Sequence, residues 1–330
     1  MIRVLWLTPK KPANISVGRQ RIASHLESNG FEIEMRAGRP TVLYESLSSQ
    51  RHDIIIGTTR AGAIFGCALS ILTGSPLVVD HVDPIQQLAE TDWWPIAKVV
   101  ERMENLAFRR SEHTLYVYSE EKERISQRAP AFSQTNLGVE YERFAHPDSS
   151  IVEVAQSQLA EKQLEENVAI YIGGLEPIYH IRKLVESVSY LNNWSLVILG
   201  SGSLEDFVIT AAENEPKIVY LGTVPHDHVP GYLQVADVGV SLVNDPHTLK
   251  VLEYGAARLP TVQLSGQARQ KFEGMVEFCE NDTKSIAHAI QRAVASDIKR
   301  IDEFQALAAE YSWEQIASDY AKVLRESLAE

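Results

Sequence analysis

Short apolar runs alternate along this chain with longer segments of helical period, which predicts parallel β-sheet covered by helices. Ile2–Leu7 reads as a first strand, followed by a polar loop with Pro9, Pro12 and Gly18. A helix is expected over Arg19–Ser28, closed by Asn29-Gly30, and Phe31–Met35 returns as a strand. Asp53–Ile56, Pro76–Val79 and Thr114–Tyr118 supply three more, each nearly continuously apolar, as strands buried on both faces are.

A polar stretch of weak periodicity then runs over 139–150 and includes Pro147. A second series begins after it, with strands expected at Val168–Ile172, Ser195–Leu199, Ile218–Leu221, Val238–Leu242 and Pro260–Leu264. Ile151–Glu165 reads as a junction helix, and Trp313–Leu328 has apolar residues at helical spacing with no strand after it. The expected division is one α/β domain over 1–147, a second over 148–311 and a terminal helix over 312–330. Two similar halves imply a cleft between them, a common place for a ligand.

Composition narrows the functional classes. Of 330 residues 45% are hydrophobic and 23% charged, a globular balance. Lys and Arg number 31 against 44 Asp and Glu, a formal charge of −13 that repels a phosphate backbone and makes nucleic acid an unsuitable partner. A phosphorylated small ligand needs only a local positive site and stays admissible. Cys67 and Cys279 are far apart and without metal-ligand spacing, so neither a disulfide framework nor a structural metal site is expected. His226 and His228 form a His-x-His without an evident third ligand and read as a surface loop. The run Ala61–Val79 is broken at Thr-Gly-Ser-Pro; its helical part covers about 20 Å, short of the ~30 Å a bilayer core requires. The N-terminus lacks the order of a signal peptide, so a cytoplasmic protein is expected, with peripheral contact at the inner membrane face left open. That contact would come from Glu90–Arg110, where Trp93-Trp94 precedes an amphipathic helix with trailing basic residues; core packing with a solvated face is the other reading.

Five blocks then carry a resemblance. "LVILGSGSLEDFV", "IVYLGTVPHDHVPGYLQVADVGVSLV" and "LKVLEYGAARLPTV" of the second half resemble the family 4, or group 1, glycosyltransferases, as do "TNLGVEYERFAHP" upstream and "YSWEQIASDYAKVL" near the end. They fall in the family's order and cover most of Tyr116–Leu324, while the first hundred residues match only in outline. The resemblance implies the GT-B architecture: two Rossmann-like domains facing each other across a cleft, with the terminal helix crossing back to the first. It also implies a nucleotide-sugar donor held mainly by the second domain and a sugar, lipid-linked or small-molecule acceptor held by the first. Retention of anomeric configuration and no required metal or other cofactor are implied with it. The alternatives within this reading are a sugar-nucleotide epimerase of the same fold and a non-catalytic subunit.

Glu253 follows the turn-forming Asn244-Asp245-Pro246 at the start of a helix. A carboxylate there can accept both ribose hydroxyls, while the free N–H groups of the first turn, from Leu249, Lys250 and Val251, face a diphosphate. The resemblance assigns Glu253 that ribose role; the alternative is a Glu stabilising the helix dipole. Asp245, eight positions earlier, stands where the family has a glutamate near the donor sugar, and an Asx-turn is its alternative. By the same resemblance Gly222 and Val224 line the base pocket. The phosphate site departs from the family: Gly174 and Tyr179 stand where it has Arg and Lys. Arg182, Lys183 and Lys250 are the candidates to supply the missing charge, with Arg19 from the other domain. In the first half Gly18 resembles the family's phosphate-approach glycine, and the catalytic candidates in "VVDHVDP" are Asp83 and then His81, with Asp80 structural.

Overall fold

The computed structural model describes residues 1–9, 14–47, 51–82, 94–246 and 248–329. They form two compact units: Met1–Gly138 with Trp313–Glu330, and Val139–Ser312.

The first unit has a parallel sheet of six strands: β1 (Ile2–Thr8), β2 (Phe31–Ala37), β3 (Ile54–Thr58), β4 (Leu77–His81), β5 (His113–Tyr116) and β6 (Phe132–Gln134). Their order is β2-β1-β3-β4-β5-β6. Every residue of β3 and of β4 is buried, which is why these segments read as apolar runs without alternation. The Trp313–Glu326 helix completes this unit by packing on the Asn14–Ser28 helix. Its Ile316, Ala317, Tyr320 and Leu324 join Trp6, Ile22 and Leu26 in one core, and Tyr320 stacks on Trp6 with ring centres 5.7 Å apart. The terminal segment does cross back, as expected.

The second unit holds β7 (Asn167–Ile172), β8 (Trp194–Leu199), β9 (Ile218–Tyr220), β10 (Val238–Ser241), β11 (Thr261–Leu264) and β12 (Glu277–Cys279), again all parallel. The order is β12-β11-β10-β7-β8-β9. From β7 the chain proceeds to one side of the sheet and from β10 to the other. The carboxyl ends of these two neighbours therefore mark the switch point, where open α/β sheets bind ligands.

The division between units falls after Gly138, earlier than the boundary expected at 147. The reason is packing: the Tyr141–Ala145 helix buries Phe144 in the second core with Val229, Tyr232 and Tyr254. Val139 is fastened to the end of the same unit by donating its N–H to the Tyr311 carbonyl at 2.8 Å.

Candidate functional site

The switch point of the second unit is built from three segments: the turn after β7, the loop after β10 and the Leu249–Ala256 helix. Gly173 follows β7 with φ +145°, a conformation that disfavours any side chain, and a Cβ there would come within 2.6 Å of Lys250 Nζ. The turn is closed by Tyr171, whose hydroxyl donates to the Gly174 carbonyl at 2.7 Å. Thr248 makes no side-chain capping bond to the Leu249–Ala256 helix, so the first-turn N–H groups of Leu249, Lys250 and Val251 retain the character of an anion site. Their side chains hold the helix in place: Val251 is fully buried and Leu249 packs at the edge of the same core.

Lys250 is the distinctive group. Its Nζ is shut off from solvent and has no hydrogen-bond partner among the described residues. It lies 4.2 Å from the centre of the Tyr171 ring and 5.0 Å from that of Tyr179, whose faces attract a cation. Burial pushes its pKa down, partly offset by the Glu253 carboxylate, to about 8. A buried ammonium that lies against aromatic rings and has no hydrogen-bond partner among the described residues is under-compensated, and an anion brought to the turn after β7 would supply what it lacks. Ser241 Oγ, at the end of β10, and Gln263 Oε1, in β11, are likewise buried and unpartnered among the described residues.

One turn further along the helix stands Glu253, 19% exposed, with an oxygen 3.1 Å from His226 Nε2. The His226 pKa is raised chiefly by its hydrogen bond to Glu253, against burial. His226 lies just beyond the Gly222–Val224 segment and meets the edge of Phe144 at 5.8 Å, while Val224 packs partly into the core beside that ring. The pairing thus ties the loop expected to hold a base to the carboxylate expected to hold a ribose. His226 is a surface residue, as its sequence context implied, but its contact with Glu253 had no signal in the His-x-His spacing.

The loop after β10 is fixed by Asn244, whose Oδ1 accepts from the Gln267 N–H at 2.5 Å. Asp245 beside it is exposed, and its charge raises the pKa of Lys271, which burial more than offsets to bring it to about 8. The other two cation candidates are directed elsewhere. Arg182 lies over the Phe207 ring at 4.3 Å, and Lys183 donates to the Asn281 carbonyl at 2.7 Å. Of the three, Lys250 is the one beside Gly173. Tyr179, in the place of the family's lysine, is part of its aromatic wall, and a Cβ at Gly174 would meet that ring at 3.1 Å. The aromatic surroundings of Lys250 could have been suspected from the two tyrosines, but not its burial.

The first unit treats its candidates differently. Arg19 is fully buried and grips Asp80 through Nε (2.7 Å) and Nη2 (2.6 Å), while its Nη1 has no hydrogen-bond partner among the described residues. Asp80 also accepts from Thr58 and Tyr320. Burial would raise the Asp80 pKa, but Arg19 and these hydrogen bonds hold it below the usual value. His81, expected as a catalytic candidate, is 1% exposed; its Nε2 is 3.1 Å from Glu121 and its Nδ1 3.4 Å from Glu104. Burial alone would lower its pKa, yet the two carboxylates raise it, and neither ring nitrogen is left for a substrate. Gly18 sits inside the Asn14–Ser28 helix rather than in a loop, and a Cβ there would strike the Trp313 ring at 2.7 Å. Its smallness serves the packing of that tryptophan. Asp83 lies outside the described residues.

A family model described as Glycosyl transferases group 1 matches residues 166–296, within the second unit. Comparison with curated proteins gives no match. Among solved structures the chain is similar to Anabaena HepE in complex with UDP, at 16% identity and a TM-score of 0.73, over 99% of this chain and 100% of that one. HepE complexes with UDP and glucose and with UDP-glucose also match. Sucrose-phosphate synthase from Thermosynechococcus elongatus is similar at 14% identity and a TM-score of 0.70 over 100% of both chains. A glycosyltransferase from Rickettsia africae is similar at 13% identity and a TM-score of 0.70, over 99% of this chain and 98% of the other. The fold of the chain is thus that of the GT-B glycosyltransferases, and its residues 166–296 carry the match to their group 1.

Proposed function

We propose that this protein is a retaining glycosyltransferase that takes its sugar from a uridine diphosphate donor, held at the carboxyl ends of β7 and β10. One observation carries the reading: the Lys250 ammonium lies buried beside Gly173, without a hydrogen-bond partner among the described residues, at a helix start that Thr248 does not cap. The binding of UDP and UDP-glucose by HepE, which shares the fold, supports the choice of nucleotide.

The roles follow from the chemistry. As the bond from the sugar's anomeric carbon to the diphosphate breaks, the electron pair leaves with the phosphate oxygen. Lys250 and the N–H groups of Leu249–Val251 stabilise that charge in place of the Arg and Lys the family carries. This local positive charge does the work a metal would otherwise do. Glu253, oriented by His226, accepts the ribose hydroxyls. Asp245 is assigned to the donor sugar, and Gly222 and Val224 to the uracil. The acceptor hydroxyl then adds to the anomeric carbon from the face the diphosphate left, and its proton departs to the leaving group or to solvent. An acceptor of sugar, lipid-linked or small-molecule type is assigned to the first unit. A non-catalytic subunit would have no use for an under-compensated buried ammonium, which lowers stability without a ligand to meet it.

The test is titration calorimetry of UDP and UDP-glucose against the native chain and the Glu253→Ala and Lys250→Met variants, with melting curves as fold controls. Binding weakened by at least about tenfold in both folded variants is the expected result; unchanged affinity in either would refute its assignment.

A further inference from the structure

The Trp94–Arg110 helix of the first unit has a feature that the donor site does not use. One of its faces is buried, with Glu104, Ala107 and Phe108 fully covered. Ile96, Val99, Met103 and Leu106 are 52%, 55%, 45% and 53% exposed, and their spacing sets them in a single stripe. At about 100° per residue, Lys98, Arg102 and Arg109 fall on the adjoining edge of that stripe and Arg110 continues it; Arg102, Arg109 and Arg110 are exposed, as is Lys98. The acidic Glu104 is turned inward onto Arg124 at 2.6 Å, which leaves the partly exposed Glu101 as the helix's one carboxylate against these cations. On the Thr59–Thr73 helix, which packs against this one, Ile71 and Leu72 are also exposed.

Single exposed apolar side chains are ordinary, but four in register along one basic edge form the surface of an interfacial helix. We propose that this face docks onto an anionic lipid bilayer, with the helix lying in the membrane plane. Ile96, Val99, Met103 and Leu106 enter the acyl boundary, and Arg102, Arg109 and Arg110 lie among the lipid phosphates. Charge complementarity selects this partner. A chain of net charge −13 is repelled by an anionic surface unless a locally basic face meets it, and this helix supplies one. A strip four side chains long on one helix falls well short of the roughly 800 Å² per partner that a stable protein interface requires, which disfavours a second copy as the occupant.

The experiment is co-sedimentation of the full chain with vesicles of phosphatidylcholine alone and with vesicles in which a third of the lipid is phosphatidylglycerol. Binding is expected only with phosphatidylglycerol and is weakened by salt. Val99→Asp with Met103→Asp should lower it at least tenfold, and Arg102→Gln with Arg109→Gln by roughly fivefold for each charge removed. All four positions are exposed, so melting curves and UDP binding should be unchanged, and the two variants test the apolar and the basic components separately. The proposal is overturned if neither vesicle binds the native chain, or if both folded variants bind as it does. It is also overturned if the native chain forms a concentration-dependent dimer without lipid that Val99→Asp dissolves, for then the stripe is covered by a second copy.

Discussion

The two units share an architecture and handle buried charge in opposite ways. In the first, Arg19 and Asp80 meet in the core and engage Thr58 and Tyr320, and His81 is held between Glu104 and Glu121, with Arg124 bridging both carboxylates. In the second, Lys250 reaches the equivalent zone, the carboxyl ends of the strands, and lies against two aromatic rings and a glycine, with Glu253 as a charge nearby and no hydrogen-bond partner among the described residues. Charge matched by charge is largely compensated and reads as scaffold, even where single atoms, Arg19 Nη1 and Glu104 Oε1, have no hydrogen-bond partner among the described residues. Charge that is buried and unmatched lowers stability until a ligand arrives, and it therefore marks where one binds.

This contrast can be broken most forcefully in the first unit. Asp80→Ala strands the Arg19 guanidinium in the core and should destabilise that unit by about 3–5 kcal/mol, read as an early transition in a thermal melt. UDP affinity at low temperature should be unchanged, since the donor groups lie in the other unit. Lys250→Met should do the reverse. UDP binding weakens by about 2–3 kcal/mol, roughly 30- to 150-fold, while the unliganded protein melts no lower than the native one. A lower melting point together with unchanged UDP affinity would make Lys250 scaffold as well. Glu253→Ala should cost at least about 1.5 kcal/mol in UDP binding, the loss expected for a charged hydrogen bond, and less for a deoxyribose nucleotide that offers one hydroxyl fewer.

pH sharpens the same contrast. The Lys250 pKa is lowered from 10.5 to about 8, so above pH 8 the unliganded site loses its ammonium. UDP affinity should then fall by up to about tenfold per pH unit, and Lys250→Met should abolish that dependence. Stability moves the other way. Between about pH 8 and 10.5 the unfolded chain binds more protons than the folded one, so this group makes the unliganded protein more stable as pH rises through that window. Lys271, also at about 8, adds to the stability trend, which Lys250→Met should diminish rather than remove. The smallest effects belong to Arg182→Ala and Lys183→Ala. Their charges are placed on Phe207 and the Asn281 carbonyl, and neither should change UDP affinity by more than about twofold.

Much of the fold was legible in the sequence because buried parallel strands are apolar throughout. Ile2–Leu7 and Val168–Ile172 lie within β1 and β7, and the amphipathic Trp313 segment is the helix that completes the first unit. β6 and β12 were not read, being three residues each, Phe-Ser-Gln and Glu-Phe-Cys, too short for any period. The donor side of the site was legible in outline, since Lys250 and Glu253 belong to one recognisable block. What selected Lys250 over Arg182 and Lys183 was not, because it depends on which cation the fold buries, and that is decided by Tyr171 and Tyr179 from a different strand and turn. The surroundings of Arg19, in the Asn14–Ser28 helix, and of His81, at the end of β4, were hidden for the same reason: a charged residue looks alike in sequence whether it faces solvent or a buried counter-ion.

Because Trp313–Glu326 belongs to the unit that Met1–Gly138 begins, that unit is not a continuous piece of chain. Trp6, Ile22 and Leu26 leave the ribosome long before the helix that covers them. At about 5–20 residues per second, the delay between Gly138 and Glu326 is on the order of ten to forty seconds. Throughout that interval the nascent N-terminal sheet carries a bare apolar face, while Val139–Ser312 needs no later segment to complete its own core. The half made first is finished last, and a released chain truncated just before Trp313 would hold one complete unit and one with its apolar face uncovered.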